Sequence, residues 1–315
     1  MSAGIKANAA RMSVISNLSL TLMKLVVGIL GGSVAMMSEA AHSANDLVAA
    51  LMAYFSVKAA DLPADREHPY GHGKIENISG TVEAALIFGV SVYIVYEAIH
   101  KLKTGGEVKD IWLGVVVMAI SAAVNLVISK WLFRVAKETD SVALEADAQH
   151  LSVDVYTSLA VFVGLGLIWV TGWHVLDPII GLVVAAVIAK VAFDLVRKAG
   201  APLIDVGLPQ SELDDLQLIL CSDRRVIAYH KLRTRKSGGE RHIDVHLLVQ
   251  ADLNVAEGHR LAEEIEDKIR AQFARVTVIT HVEPISEEEI GETGVLCSMH
   301  RTKTDDLQPT DRISQ

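Results

Sequence analysis

"HSANDLVAAL", residues 42–51, sits inside an apolar run from 34 to 57 and places His42 and Asp46 in what otherwise reads as a membrane-crossing helix. An ionisable side chain costs roughly 2.5–3.5 kcal/mol or more at a bilayer centre, so such groups are rare within spans and mark function when present. The spacing recurs further along. In "ADAQHLSVDVYTS", residues 146–158, His150 and Asp154 repeat the H-x-x-x-D pattern. Residues four apart project from one helix face about a turn apart, so each pair can point at a single object.

The composition sets the frame for those pairs. Half of the 315 residues are hydrophobic (51%) and mean hydropathy is +0.35, too apolar for an ordinary soluble domain of this length. A polytopic membrane protein is expected. Net charge is −9, with acidic residues concentrated after residue 205, which excludes a nucleic-acid binder and marks that half as a soluble appendage. Cys221 and Cys297 both fall in this polar half, so a disulfide framework is not expected and a reducing, cytoplasmic side is.

Apolar runs long enough to cross a ~30 Å hydrocarbon core, about 20 residues each, fall at 12–32, 34–57, 78–100, 111–133, 142–171 and 175–196, giving six transmembrane helices. The first run follows Lys6 and Arg11 and ends in "GGSVA", which a signal peptide would also do; its length and the five runs behind it favour a span. Lys6, Arg11, Lys58, Arg66, Lys74, Lys130, Arg134, Lys137, Arg197 and Lys198 flank one side, against Lys101, Lys103 and Lys109 on the other. That asymmetry puts both termini in the cytoplasm.

Beyond Pro202 the periodicity changes. A helix over 211–221 precedes "HIDVHLLV", which alternates as a strand after the turn "KSGGE". "NVAEGHRLAEEIEDKIRAQF" then carries a helical stripe at Val255, Leu261, Ile265 and Ile269, and "RVTVITHVEP" closes as a strand. The order α-β-β-α-β predicts a small α+β sheet module. The domains are therefore read as 1–200 for the helices, 205–285 for the module and 286–315 for a polar, disordered tail.

Two helices that each supply an imidazole and a carboxylate offer two nitrogens and two oxygens, a set suited to tetrahedral Zn²⁺ or a similar divalent ion. The two carboxylates of His42/Asp46 and His150/Asp154 would also neutralise its charge. The alternative is a hydrogen-bonded contact between helices, which two identical pairs in separate spans disfavour. Glu39, Glu83 and Asp147 are weaker candidates; Asp147 lies one turn before His150 and lines an access path or simply faces water. In the loop "DLPADREHPYGHGKIEN", Asp65, His68 and His72 fall within eight residues, and Pro69, Gly71 and Gly73 allow the chain to bend them toward one ion; a solvated polar loop is the competing reading. In the module, His230, His246, His259, His281 and Glu283 fall on or beside the strands and second helix. Cys297 and His300 form an isolated C-x-x-H with no further support.

The twin "HSAND" and "HLSVD" segments, the "DREHPYGHGKIE" loop and "HKLRTRKSGGERHIDVHL…THVEP", in this order over residues 12–285, make the chain resemble the cation diffusion facilitator family. The resemblance implies a homodimeric divalent-metal/proton antiporter with six transmembrane helices and a metallochaperone-like cytoplasmic domain. It assigns His42, Asp46, His150 and Asp154 to the transport site and Asp65, His68 and His72 to a loop site found in some members. His230, His246, His259 and His281 match histidines of regulatory cytoplasmic sites, and Lys74 with Asp205 a charge interlock at the membrane–cytoplasm junction. Two departures stand out: Glu283 occupies a position where bacterial relatives commonly carry Asp, and His42 replaces an Asp of the iron/zinc type, a change associated with zinc preference.

The expected mechanism is alternating access at a midplane site. His42 and His150 must be neutral to bind metal, so metal entry displaces protons and proton return resets the site. Zn²⁺ is the expected substrate and regulatory ligand, with Fe²⁺, Co²⁺, Cd²⁺ and Ni²⁺ compatible with the same donors; no organic cofactor and no enzymatic step are expected. Partners are divalent metals, protons, membrane lipid and a second copy of the chain, with no nucleic acid, and the location is an integral membrane protein of a bacterial inner membrane. The rival classes are a membrane-anchored metal sensor that binds without translocating, and a passive channel, for which a carboxylate ring rather than a chelating site is expected.

Overall fold

A computed structural model of the chain describes residues 2–31, 34–104, 112–171, 173, 176–285 and 295–297. It divides into two compact units, 1–204 and 205–315. The side chain of Glu39, together with Lys109 and His300, lies outside the described residues.

The first unit holds six long helices: α1 (Ser2–Gly31), α2 (Val34–Ala60), α3 (Lys74–Thr104), α4 (Trp112–Thr139), α5 (Val142–Thr171) and α6 (Leu176–Gly200), with a 3₁₀ turn at Ala201–Ile204. Among the described residues, four stretches are long and apolar enough to cross a membrane: Gly4–Val27, Lys74–His100, Ala119–Thr139 and Pro178–Ile204. Large apolar side chains such as Phe55, Val92, Val127 and Phe193 point outward, as a lipid-facing surface requires. Because lipid is as apolar as leucine, helices associate here through close packing of small residues. Helix α5 joins two such clusters. On one side Ala143, Leu144, Ala148 and Leu151 pack with Ala9 and Ala10 of α1, Val57 of α2 and Leu132 and Ala136 of α4. On the other, Ala146 and Val153 pack with Ala84 and Ile87 of α3 and Ile188, Ala192 and Leu195 of α6. Gly80 permits the approach of α3: a Cβ there would stand 3.0 Å from Val142 Cγ1 and 3.4 Å from Ala199 Cβ.

The second unit comprises α7 (Gln210–Leu220), β1 (Ala228–Ser237), β2 (Glu240–Val249), α8 (Val255–Gln272), β3 (Val276–Pro284) and the short β4 (Val295–Leu296), in the sheet order β3-β2-β1-β4. The α-β-β-α-β order read from the sequence is present, with one strand added. β1 and β2 form an antiparallel hairpin whose turn uses Gly238 at φ 57°, whereas β2 and β3 run parallel and need the α8 crossover. Helix α8 starts with a capping box, in which Asn254 Oδ1 accepts from the Glu257 amide at 3.0 Å and Glu257 Oε2 accepts from the Asn254 amide at 3.1 Å. Ile243, Val245, Leu247 and Val249 of β2 share one core with Leu216 and Leu220 of α7 and Leu261, Ile265 and Ile269 of α8. With a period of two along each strand, the alternate β2 positions, including His246, lie on the face away from the helices.

Two sequence expectations need correction here. Of the stretch 286–315 expected as a disordered tail, residues 295–297 are part of the fold: Val295 and Leu296 pair with Tyr229 and Ala228, and the Cys297 amide donates to the Ile227 carbonyl at 3.1 Å, while the remainder lies outside the described residues. Cys221 and Cys297 are also joined as a disulfide across a separation of 76 residues. The pairing arises because Cys221 caps the end of α7 while β4 brings Cys297 along the edge of β1, a juxtaposition that no spacing rule encodes. Opening that loop by reduction, or by Cys297→Ser, is expected to destabilise the module by roughly 4 kcal/mol on the chain-entropy estimate. Denaturant midpoints with and without reductant measure it, and equal midpoints would show that the clip contributes nothing.

Candidate functional site

The twin pairs meet. His150 Nε2 lies 3.2 Å from Asp46 Oδ1, while His42 Nε2 lies 3.9 Å from the same oxygen and 3.7 Å from Asp154 Oδ1. Ligand atoms of His42, Asp46 and Asp154 all fall within 4.8 Å of one another. Each α2 residue thus faces an α5 residue of the other type, which the i, i+4 spacing on both helices produces when the two cross. Asp46 is buried, His150 and Asp154 are nearly so, and His42 is half exposed, leaving one side of the cluster open. Helix α1 fixes α2 beside His42: Lys24 Nζ donates to Ser43 Oγ at 2.7 Å and Thr21 Oγ1 to the Ser43 carbonyl at 2.9 Å.

One member of the site escaped the sequence reading. Asn125 of α4, buried, donates from Nδ2 to Asp154 Oδ2 at 3.2 Å and so orients that carboxylate. Its signal was a single amide within an apolar run, which spacing cannot separate from an ordinary polar residue between helices.

The loop residues also gather. Asp65 sits 3.2 Å from His68 Nδ1 through Oδ1 and 3.3 Å from His72 Nε2 through Oδ2, and the two imidazoles lie 4.4 Å apart. Asp65 Oδ1 accepts the His68 amide at 2.6 Å and the Glu67 amide at 2.9 Å, and these bonds, led by that from His68, hold its pKa below the ordinary carboxylate value. Gly71 at φ 78° lets the chain turn back, with its amide on the His68 carbonyl at 2.9 Å.

In the second unit the register does the positioning. His230 pairs with His246 and His246 with His281, so three histidines stand in a row across β1, β2 and β3 on the face away from the helices. Glu283, two residues beyond His281, reaches all three: 2.8 Å to His230 Nε2, 2.8 Å to His246 Nδ1 and 3.3 Å to His281 Nε2. Spanning from β3 to β1 means crossing two inter-strand steps of about 4.8 Å, which the extra methylene of glutamate over aspartate assists. Burial pushes the Glu283 pKa up, but hydrogen bonds from His230 and His246 outweigh it and the net shift is downward, so the group is a carboxylate at neutral pH. His259 is not in this row. It lies on α8, exposed, 3.5 Å from Glu263. Asp205, expected in a charge interlock with Lys74, lies 3.4 Å from Arg235 within its own unit.

Both halves of the chain resemble known proteins. A family model described as the cation efflux transmembrane domain matches residues 10–204, and one described as the cation efflux protein cytoplasmic domain matches 208–285. An uncharacterized transporter of Synechocystis sp. is 35% identical over 266 residues, 84% of this chain and 86% of that protein. The cation-efflux pump FieF of Shewanella oneidensis is 30% identical, covering 89% of this chain and 94% of the pump. The manganese efflux system protein MneP of Bacillus subtilis is likewise 30% identical, over 90% of this chain and 98% of that protein.

Proposed function

Because the chain belongs to the cation efflux family, a family of transporters and not of enzymes, we propose that it exports divalent transition-metal cations from the cytoplasm in exchange for protons, with Zn²⁺ the foremost substrate. The observation that carries this reading is the convergence of His42, Asp46, His150 and Asp154 from two helices onto one point beside an open side. Two nitrogens and two carboxylates suit a borderline ion in tetrahedral coordination and disfavour the hard, oxygen-seeking Mg²⁺ and Mn²⁺. The relatives' names leave the metal open, since one is a manganese exporter. Metal binding needs both imidazoles deprotonated, so arrival of the cation releases protons and a proton returning from outside releases the cation. Alternating access keeps the two events on opposite sides of the membrane.

Uptake into proteoliposomes tests this directly, with and without an imposed pH gradient, for Zn²⁺, Fe²⁺, Mn²⁺ and Co²⁺. Gradient-driven flux should be largest for Zn²⁺ and vanish in Asp154→Ala. Metal bound without flux would support the sensor class instead, and flux indifferent to both the gradient and Asp154 would support a passive pore.

The second unit is proposed to sense the same metal. The family's cytoplasmic model and the row of His230, His246 and His281 around Glu283 support a site that, when filled, favours the closed dimer. His259, exposed on α8 beside Glu263, would belong to a site separate from that row. The interlock of Lys74 with Asp205 is carried by the resemblance alone. In the full-length protein, His230→Ala with His281→Ala should abolish the metal-dependent strengthening of the dimer, and charge reversal at Lys74 should weaken the dimer without metal. A dimer that responds identically to metal in wild type and the histidine variant would refute the sensing role.

A further inference from the structure

Three residues before His150, on the same stripe of α5, stands Asp147, and across from it on α3 stands Glu83. Both side chains are buried, with only 1% and 2% of their surfaces exposed. All four carboxylate oxygens accept no hydrogen bond among the described residues, although the Ser13 hydroxyl of α1 is in reach of Asp147. The His150 Nδ1 atom is likewise buried without a partner, its Nε2 being turned to Asp46. Glu83, Asp147 and His150 lie within electrostatic range of one another. Ala84 and Ala146, the immediate neighbours of the two acids, belong to one packed cluster of α3, α5 and α6, which holds this part of the two helices together.

Two adjacent buried carboxylates offer four oxygens to a cation, whose charge would offset their desolvation and mutual repulsion. We propose that Glu83 and Asp147 form a second divalent-cation station, one helical turn from the transport ligands, which holds cargo on carboxylate oxygens before it passes to His150. The proposal rests on the efflux reading above. Asp147, His150 and Asp154 follow at i, i+3 and i+7 on α5, a continuous line of donors at steps of about 5 Å. Glu83 supplies the opposite wall from a helix that gives nothing to the transport site itself. The pair lies on the side of His150 nearer the start of α5. Two carboxylates are fewer donors than the four of the transport site, which suits a waiting position that releases its ion.

The test counts Co²⁺ bound per protomer at saturation, by equilibrium dialysis and metal analysis of the full-length protein in lipid nanodiscs. Glu83→Gln with Asp147→Asn should bind one cation fewer than wild type, and the deficit should persist in an Asp154→Ala background. An unchanged count, or a deficit that disappears once Asp154 is removed, would overturn the station and leave the acids as supports of the transport site. Glu83→Asp, which keeps the charge, should restore the full count; loss equal to that of Glu83→Gln would show that side-chain size and not charge matters, again overturning it. Flux of the wild type is measured in parallel. A wild type that binds this cation and transports none would defeat the efflux reading while leaving the station in place.

Discussion

Asp46→Ala is expected to reduce gradient-driven metal flux by at least about a hundredfold, since removing a residue that merely orients a ligand already costs 10–100-fold in metal sites. Asp46 is the member of the site that faces both imidazoles, at 3.2 Å from His150 and 3.9 Å from His42. Its loss leaves two nitrogens and one carboxylate to hold a doubly charged ion in a water-poor setting, where each missing negative charge weighs more than in water. Asp46→Asn keeps the shape and removes the charge, so it should behave like the alanine variant. Asn125→Ala leaves every ligand in place and frees only the Asp154 carboxylate. Its loss should stay within the 10–100-fold range. If Asp46→Ala kept more than a tenth of wild-type flux in proteoliposomes, the four-ligand cluster would not be the conduit.

That contrast also shows which parts of the site a sequence exposes. His42, Asp46, His150 and Asp154 were legible because a repeated four-residue spacing of costly groups in two apolar runs has few innocent explanations. The row of His230, His246 and His281 was legible only as a concentration of histidines; the register that aligns them depends on strand pairing, and His259, which rides on α8, stands outside that row. β4 was invisible for a different reason. Two residues cannot display a period, and what holds them is backbone pairing to β1, which any side chains would allow. The disulfide follows from β4, so missing the one meant missing the other.

Hydropathy misplaced one boundary in an instructive way, and the same residues carry a large expected stability effect. The first span was read from residue 12, with Lys6 and Arg11 ahead of it, yet α1 begins at Ser2 and Lys6 is buried, with 1% of its side chain exposed. Glu76 of α3 makes this possible: its Oε1 accepts from Lys6 Nζ at 2.7 Å and its Oε2 from Ser141 Oγ at 2.6 Å, tying α1, α3 and the turn before α5. Glu76→Ala would leave a buried ammonium without its partner and should cost about 3–5 kcal/mol. Replacing both charges by apolar groups of similar size, Lys6→Met with Glu76→Leu, removes the desolvation penalty along with the attraction and should be close to neutral or stabilising. Thermal or denaturant unfolding in detergent, run as a double-mutant cycle, separates the cases. If the double variant loses as much as Glu76→Ala, the pair acts through its packing and the Ser141 bond rather than through its charge, and α1 owes its first turns to those contacts instead.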